Sequence, residues 1–66
     1  MPTYDEVKMV ERQIAESLRR VQSQREVVDE LALNGQSSEQ ARMLLSEIEE
    51  TLHRQIGLRD KMLDRA

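Results

Sequence analysis

The sequence predicts an all-α fold, an antiparallel helical hairpin with one helix over about 4–33, a turn at 34–37 and a second helix over about 38–65. Three observations predict it. Ala, Leu, Glu, Gln and Arg dominate a 66-residue chain with only two Gly and one Pro, so helix propensity is high almost throughout. Apolar residues in both halves recur at helical spacing. Turn chemistry is confined in the interior to one stretch just past the midpoint, Leu31 to Gln40.

The first helix is expected to start at Thr3, which forms a Thr-x-x-Glu capping box with Glu6. Asp5 and Glu6 also place negative charge in the first turn, where the helix dipole favours it. From there no Gly or Pro occurs before Gly35, which gives about 45 Å of helix. Tyr4, Val7, Val10, Ile14, Leu18, Val21, Val28 and Ala32 fall on one side and read as a core stripe. Val7, Ile14, Val21 and Val28 recur every seven residues like a coiled-coil a position, with Val10, Ser17, Gln24 and Leu31 at d. Arg25 lies on the core side by angle, and its long stem is expected to follow the apolar face while the head reaches water.

Asn34 and Gly35 both tolerate the positive φ that ends a helix, and Ser37 with Gln40 forms a second capping box. In the second helix Ala41, Leu44, Leu45, Ile48, Leu52, Ile56, Met62 and Leu63 share a face. Gly57 falls on the outer face and is expected not to break it. Lys61 and Arg65 lie near the end, in the sense the dipole prefers.

Two helices of matched length joined by a short turn must lie antiparallel. Folding at Asn34-Gly35 pairs residues whose numbers sum to roughly 70. Leu18 then meets Leu52, Ile14 meets Ile56, Val7 meets Leu63, and Val21 lies by Ile48 and Glu49. The same register makes a Glu11–Arg59 ion pair an expectation.

Each helix carries two apolar seams side by side, and a lone hairpin covers only one of them. The second seam is assigned to Val10, Ser17, Val21, Gln24, Val28 and Leu31 on the first helix, and to Leu44, Thr51, Gln55, Leu58 and Met62 on the second. A homodimeric four-helix bundle would cover it; so would a helix from another protein. Ser17, Gln24, Thr51 and Gln55 would then either form a buried polar layer that fixes pairing or border solvent.

Composition excludes more than it proposes. The net charge of −3 divides evenly, with seven acids and five bases before residue 34 and six and five after it. Neither half has the basic excess of a nucleic-acid binder. Zero cysteines remove disulfides and thiolate metal sites, and the start Met-Pro-Thr-Tyr-Asp-Glu lacks a signal-peptide pattern, so a reducing cytoplasm is the expected compartment. No apolar run suits a membrane span. The single His53 stands beside Glu49 and Glu50 without convergent ligands, so no catalytic, cofactor or metal site is expected. Met9, Val27 and Met43 lie off the main stripes.

The runs Val10-Glu-Arg-Gln-Ile-Ala-Glu, Gln24-Arg-Glu-Val-Val, Ala41-Arg-Met-Leu-Leu-Ser-Glu-Ile-Glu-Glu-Thr-Leu and Arg59-Asp-Lys-Met-Leu resemble those of short helical-hairpin proteins of alphaproteobacteria. That resemblance covers most of the chain and implies no activity. In shape alone the expected architecture is similar to the plasmid repressor-of-primer protein, a hairpin that dimerises and binds RNA. The expectation is a non-enzymatic interaction protein, a homodimeric bundle docking to another macromolecule. The alternative is a nucleic-acid regulator using Arg12, Arg19 and Arg20 on the outer face of the first helix.

Overall fold

The computed structural model describes residues 2–64 and consists of two helices packed against each other, α1 (Tyr4–Leu33) and α2 (Glu39–Asp64). The rod they form extends 51 × 14 × 12 Å between Cα atoms. The expectation that the second helix continues to about residue 65 reaches Arg65, which lies outside the described residues. No helix among the described residues is long and apolar enough to cross a membrane.

Both ends of α1 are closed as the sequence requires. Thr3 holds extended backbone angles (φ −82°, ψ 163°), and its side chain accepts the Glu6 N–H at 3.1 Å. Its carbonyl takes the first helical bond, from the Val7 N–H at 3.1 Å. At the other end the Gln36 N–H donates to the Leu31 carbonyl at 2.9 Å, and the Gly35 N–H to that of Ala32 at 3.2 Å. These two bonds define a Schellman motif. Gly35 alone adopts the left-handed conformation, at φ 70°; Asn34 stays at φ −86°.

The second cap sits one residue later than the Ser37-x-x-Gln40 box places it. The Ser38 carbonyl accepts the Arg42 N–H at 2.9 Å, so Ser38 occupies the cap and Glu39 opens the helix. Packing decides between the adjacent serines. Ser38 is buried while Ser37 and Gln40 are exposed, and this phase turns Ala41 toward α1. There the Ala41 carbonyl accepts a bond from Gln24 Nε2 at 2.9 Å.

Val10, Ile14, Val21 and Leu52 form the buried core, with Leu45, Ile48, Ile56 and Met62 packed partly against it. The register follows the predicted antiparallel sense with a local correction. Ser17 rather than Leu18 faces α2, where its hydroxyl donates to Gln55 Oε1 at 2.7 Å. Leu18 is therefore exposed rather than part of the buried core. Tyr4, Ala32 and Leu63, assigned to the stripes, are exposed as well, because no third element covers the ends and flanks of the pair. The Glu11–Arg59 pair is not formed. Arg59 turns to its neighbour, donating to Asp60 Oδ1 from Nε at 3.3 Å and from Nη2 at 3.2 Å.

Replacing Gly35 with Ala should lower stability by about 1–2 kcal/mol, since the left-handed conformation disfavours a Cβ although space is free around it. Gly57→Ala should do the opposite. Its Cβ would meet nothing within 4 Å in a helix interior, and the expected gain is about 1 kcal/mol. Urea melts of the two variants beside the parent chain check both signs. Equal midpoints for all three would contradict this account of the turn and of α2.

Candidate functional site

A two-helix rod has one buried interface and two open sides, and the open side with more apolar surface is the candidate site. It begins at the end remote from the turn. There Pro2, Glu6, Met9, Val10, Leu58, Lys61 and Met62 line a groove. A second, smaller depression further along is lined by Ser17, Arg20, Leu44, Glu47, Ile48 and Thr51. The two lie on one face: Arg20 is eleven residues from Met9 and Leu58 is seven from Thr51, about three turns and two. Val27 falls on the same line as Met9, eighteen residues and five turns away.

Along this face Met9 (51% exposed), Val27 (43%), Leu44 (47%) and Leu58 (50%) present apolar side chains to solvent. Each is large, and together they trace the length of the rod. The rim is charged, with Glu6 and Lys61 on the end groove and Arg20 and Glu47 on the second depression. Met side chains are unbranched and polarisable, so a rim of Met9 and Met62 can adapt to a docked surface.

The structure divides the predicted outer seam into three groups. Val10, Ser17 and Val21 are buried between the helices of one chain, and Val10 and Ser17 also border the open groove and depression. Gln24, Val28, Leu31, Thr51, Gln55 and Met62 are half-buried at the edge. Leu44 and Leu58 stand on the open face.

Within one chain the four polar residues of the expected layer find separate partners. Ser17 and Gln55 bond each other across the inner interface, and Gln24 reaches the α2 backbone at Ala41. Thr51 does not join them. Its hydroxyl donates to the Glu47 carbonyl at 3.1 Å and accepts from Arg54 Nη2 at 3.2 Å, all on its own helix. Arg25 extends its head past the interface, 61% exposed, to Glu49 Oε2 at 3.9 Å. At that separation and exposure the pair contributes little.

Met9 and Val27 were placed off the stripes in the sequence, yet they extend the face. Their five-turn separation was the available signal, hidden by the polar Gln13, Glu16 and Arg20 between them. His53 is exposed, and among the described residues no three His, Asp or Glu side chains gather as metal ligands. Arg12, Arg19 and Arg20 are exposed on α1. No family model matches this chain, and neither a curated protein nor a solved structure matches it.

The Ser17–Gln55 bond makes a specific energetic claim. Ser17→Ala leaves the Gln55 carbonyl oxygen without its partner at a half-buried site and should cost about 1–2 kcal/mol. The double variant Ser17→Ala with Gln55→Leu should recover most of that loss, because an apolar pair needs no partner. Thermal melts of the parent and the two variants measure it. A double variant as unstable as the single one would show that the bond is not what holds this level of the interface.

Proposed function

We propose that this chain is a non-enzymatic interaction protein, a small homodimeric helical bundle that docks to another macromolecule. The observation that carries the reading is the row of large apolar side chains, Met9, Val27, Leu44 and Leu58, left about half exposed along one face. Large apolar side chains exposed on one face among polar ones mark association. Size supports the same conclusion. A 66-residue chain without disulfides buries a marginal core, and pairing is one of the few ways to stabilise it. The helix runs that resemble alphaproteobacterial hairpin proteins support a bacterial setting.

A second reading, a nucleic-acid regulator, draws on the exposed Arg12, Arg19 and Arg20. Glu16 among them and the net charge of −3 weigh against it.

Light scattering on the purified chain should give twice the monomer mass of 7.7 kDa. Leu44→Glu with Leu58→Glu should return that mass to a single copy while helical circular dichroism persists. Affinity capture with parent and variant side by side should retain a second macromolecule on the parent only. A parent chain that stays a folded single copy at millimolar concentration would overturn the homodimeric reading. RNA binding that falls steeply with added salt would favour the second reading instead.

A further inference from the structure

Two identical rods can cover each other's apolar face in two ways, with their turns at the same end or at opposite ends. We infer that the occupant of the face marked by Met9, Leu44 and Leu58 is a second copy laid on it about a two-fold axis parallel to the helices, turns together. In that arrangement α1 of each copy lies over α2 of the other. The inference rests on the homodimeric reading above and adds the geometry of the pair.

Extent is the first argument. The rod is 51 Å long and 14 Å across between Cα atoms, and a second copy has the same dimensions. A second copy spans it without remainder, and a short peptide would not.

Charge is the second argument and selects the orientation. Across the face, opposite charges stand at matched heights: Glu6 with Lys61 on the end groove, Arg20 with Glu47 on the second depression. An axis parallel to the helices preserves height and exchanges α1 for α2. Arg20 then faces Glu47 of the second copy, and Glu6 faces its Lys61. The same operation sets Met9 against Leu58 and Met62 of the second copy, apolar on apolar. With turns at opposite ends, α1 lies over α1. Glu6 then approaches the far end of α1, where Glu30 stands nearest this face and the last turn carries no basic residue. Like charges would oppose each other there. Rim charges of this kind add little affinity, but they discriminate between orientations of similar area.

Charge-reversed chains test the geometry. Arg20→Glu alone and Glu47→Lys alone each oppose like charges in the self-pair and should weaken it roughly tenfold. Mixed together they should pair with one another at close to parental strength, since Glu at 20 then meets Lys at 47 across the two-fold. Repair of a contact within one chain could not produce that recovery. A spin label on Gln36→Cys, in a chain with no other cysteine, supplies an independent readout. Turns together should place two labels within roughly 25 Å, from helix spacings of 8–10 Å plus label length. A label separation near the 51 Å rod length, with the mass of a pair, would overturn the orientation and leave the homodimeric reading standing. A single-copy mass for the parent would overturn both.

Discussion

Each helix of this protein has one neighbour, and that constraint governs everything else. A helix with a single contact can bury only a narrow strip, and here the strip is filled by Val10, Ile14 and Val21 against Leu52. Even these four retain 5–8% of their surface, so the core is a seam with open flanks. The charged residues cannot supply the missing stability, since the ion pair spanning the helices, Arg25 with Glu49, is loose and wet. Whatever apolar surface the seam does not use must remain outside. The exposed Met9, Val27, Leu44 and Leu58 are the direct result.

Inside the seam, apolar contact sets proximity and polar contact sets register. Leu and Val side chains would tolerate a slide of one turn along a smooth interface. The Ser17 hydroxyl on Gln55 and the Gln24 amide on the Ala41 carbonyl would not, because each slide strands a donor or acceptor at a part-buried position. These two bonds lie at different levels and fix the same antiparallel alignment. They also explain why Ser17, small enough to let the helices approach, holds an inward position that the stripe gave to Leu18.

The hairpin itself was legible because its signals are local. Thr3 with Glu6, the long interval without Gly or Pro, and Asn34-Gly35 each act within one turn of chain, and each element begins or ends within a residue of where they point. Interhelical facts were less legible. Helical angle placed Leu18, Arg25 and Val21 on the same broad side, yet only Val21 is buried. A difference of some tens of degrees decides burial when the buried strip is narrow, and the exact phase depends on how both helices twist about each other. The Ser37 cap failed for a related reason, as two adjacent serines offer equivalent chemistry and packing of Ser38 breaks the tie. Of the open face, Leu44 and Leu58 were found because they flank the stripe. Met9 was missed because its angle lies beyond it.

The single reversal at Gly35 also orders the interface in time. The Gln24–Ala41 contact closes a separation of 17 residues, and Ser17–Gln55 one of 38. Loop entropy makes the longer closure costlier by about 0.7 kcal/mol if formed alone, and nearly free once the shorter has formed. Closure from the turn outward is therefore the less costly order. The groove of Met9, Leu58 and Met62 lies at the opposite tip. A second copy seated there would act as a clasp on that tip, so pairing and closure of the tip would become one event.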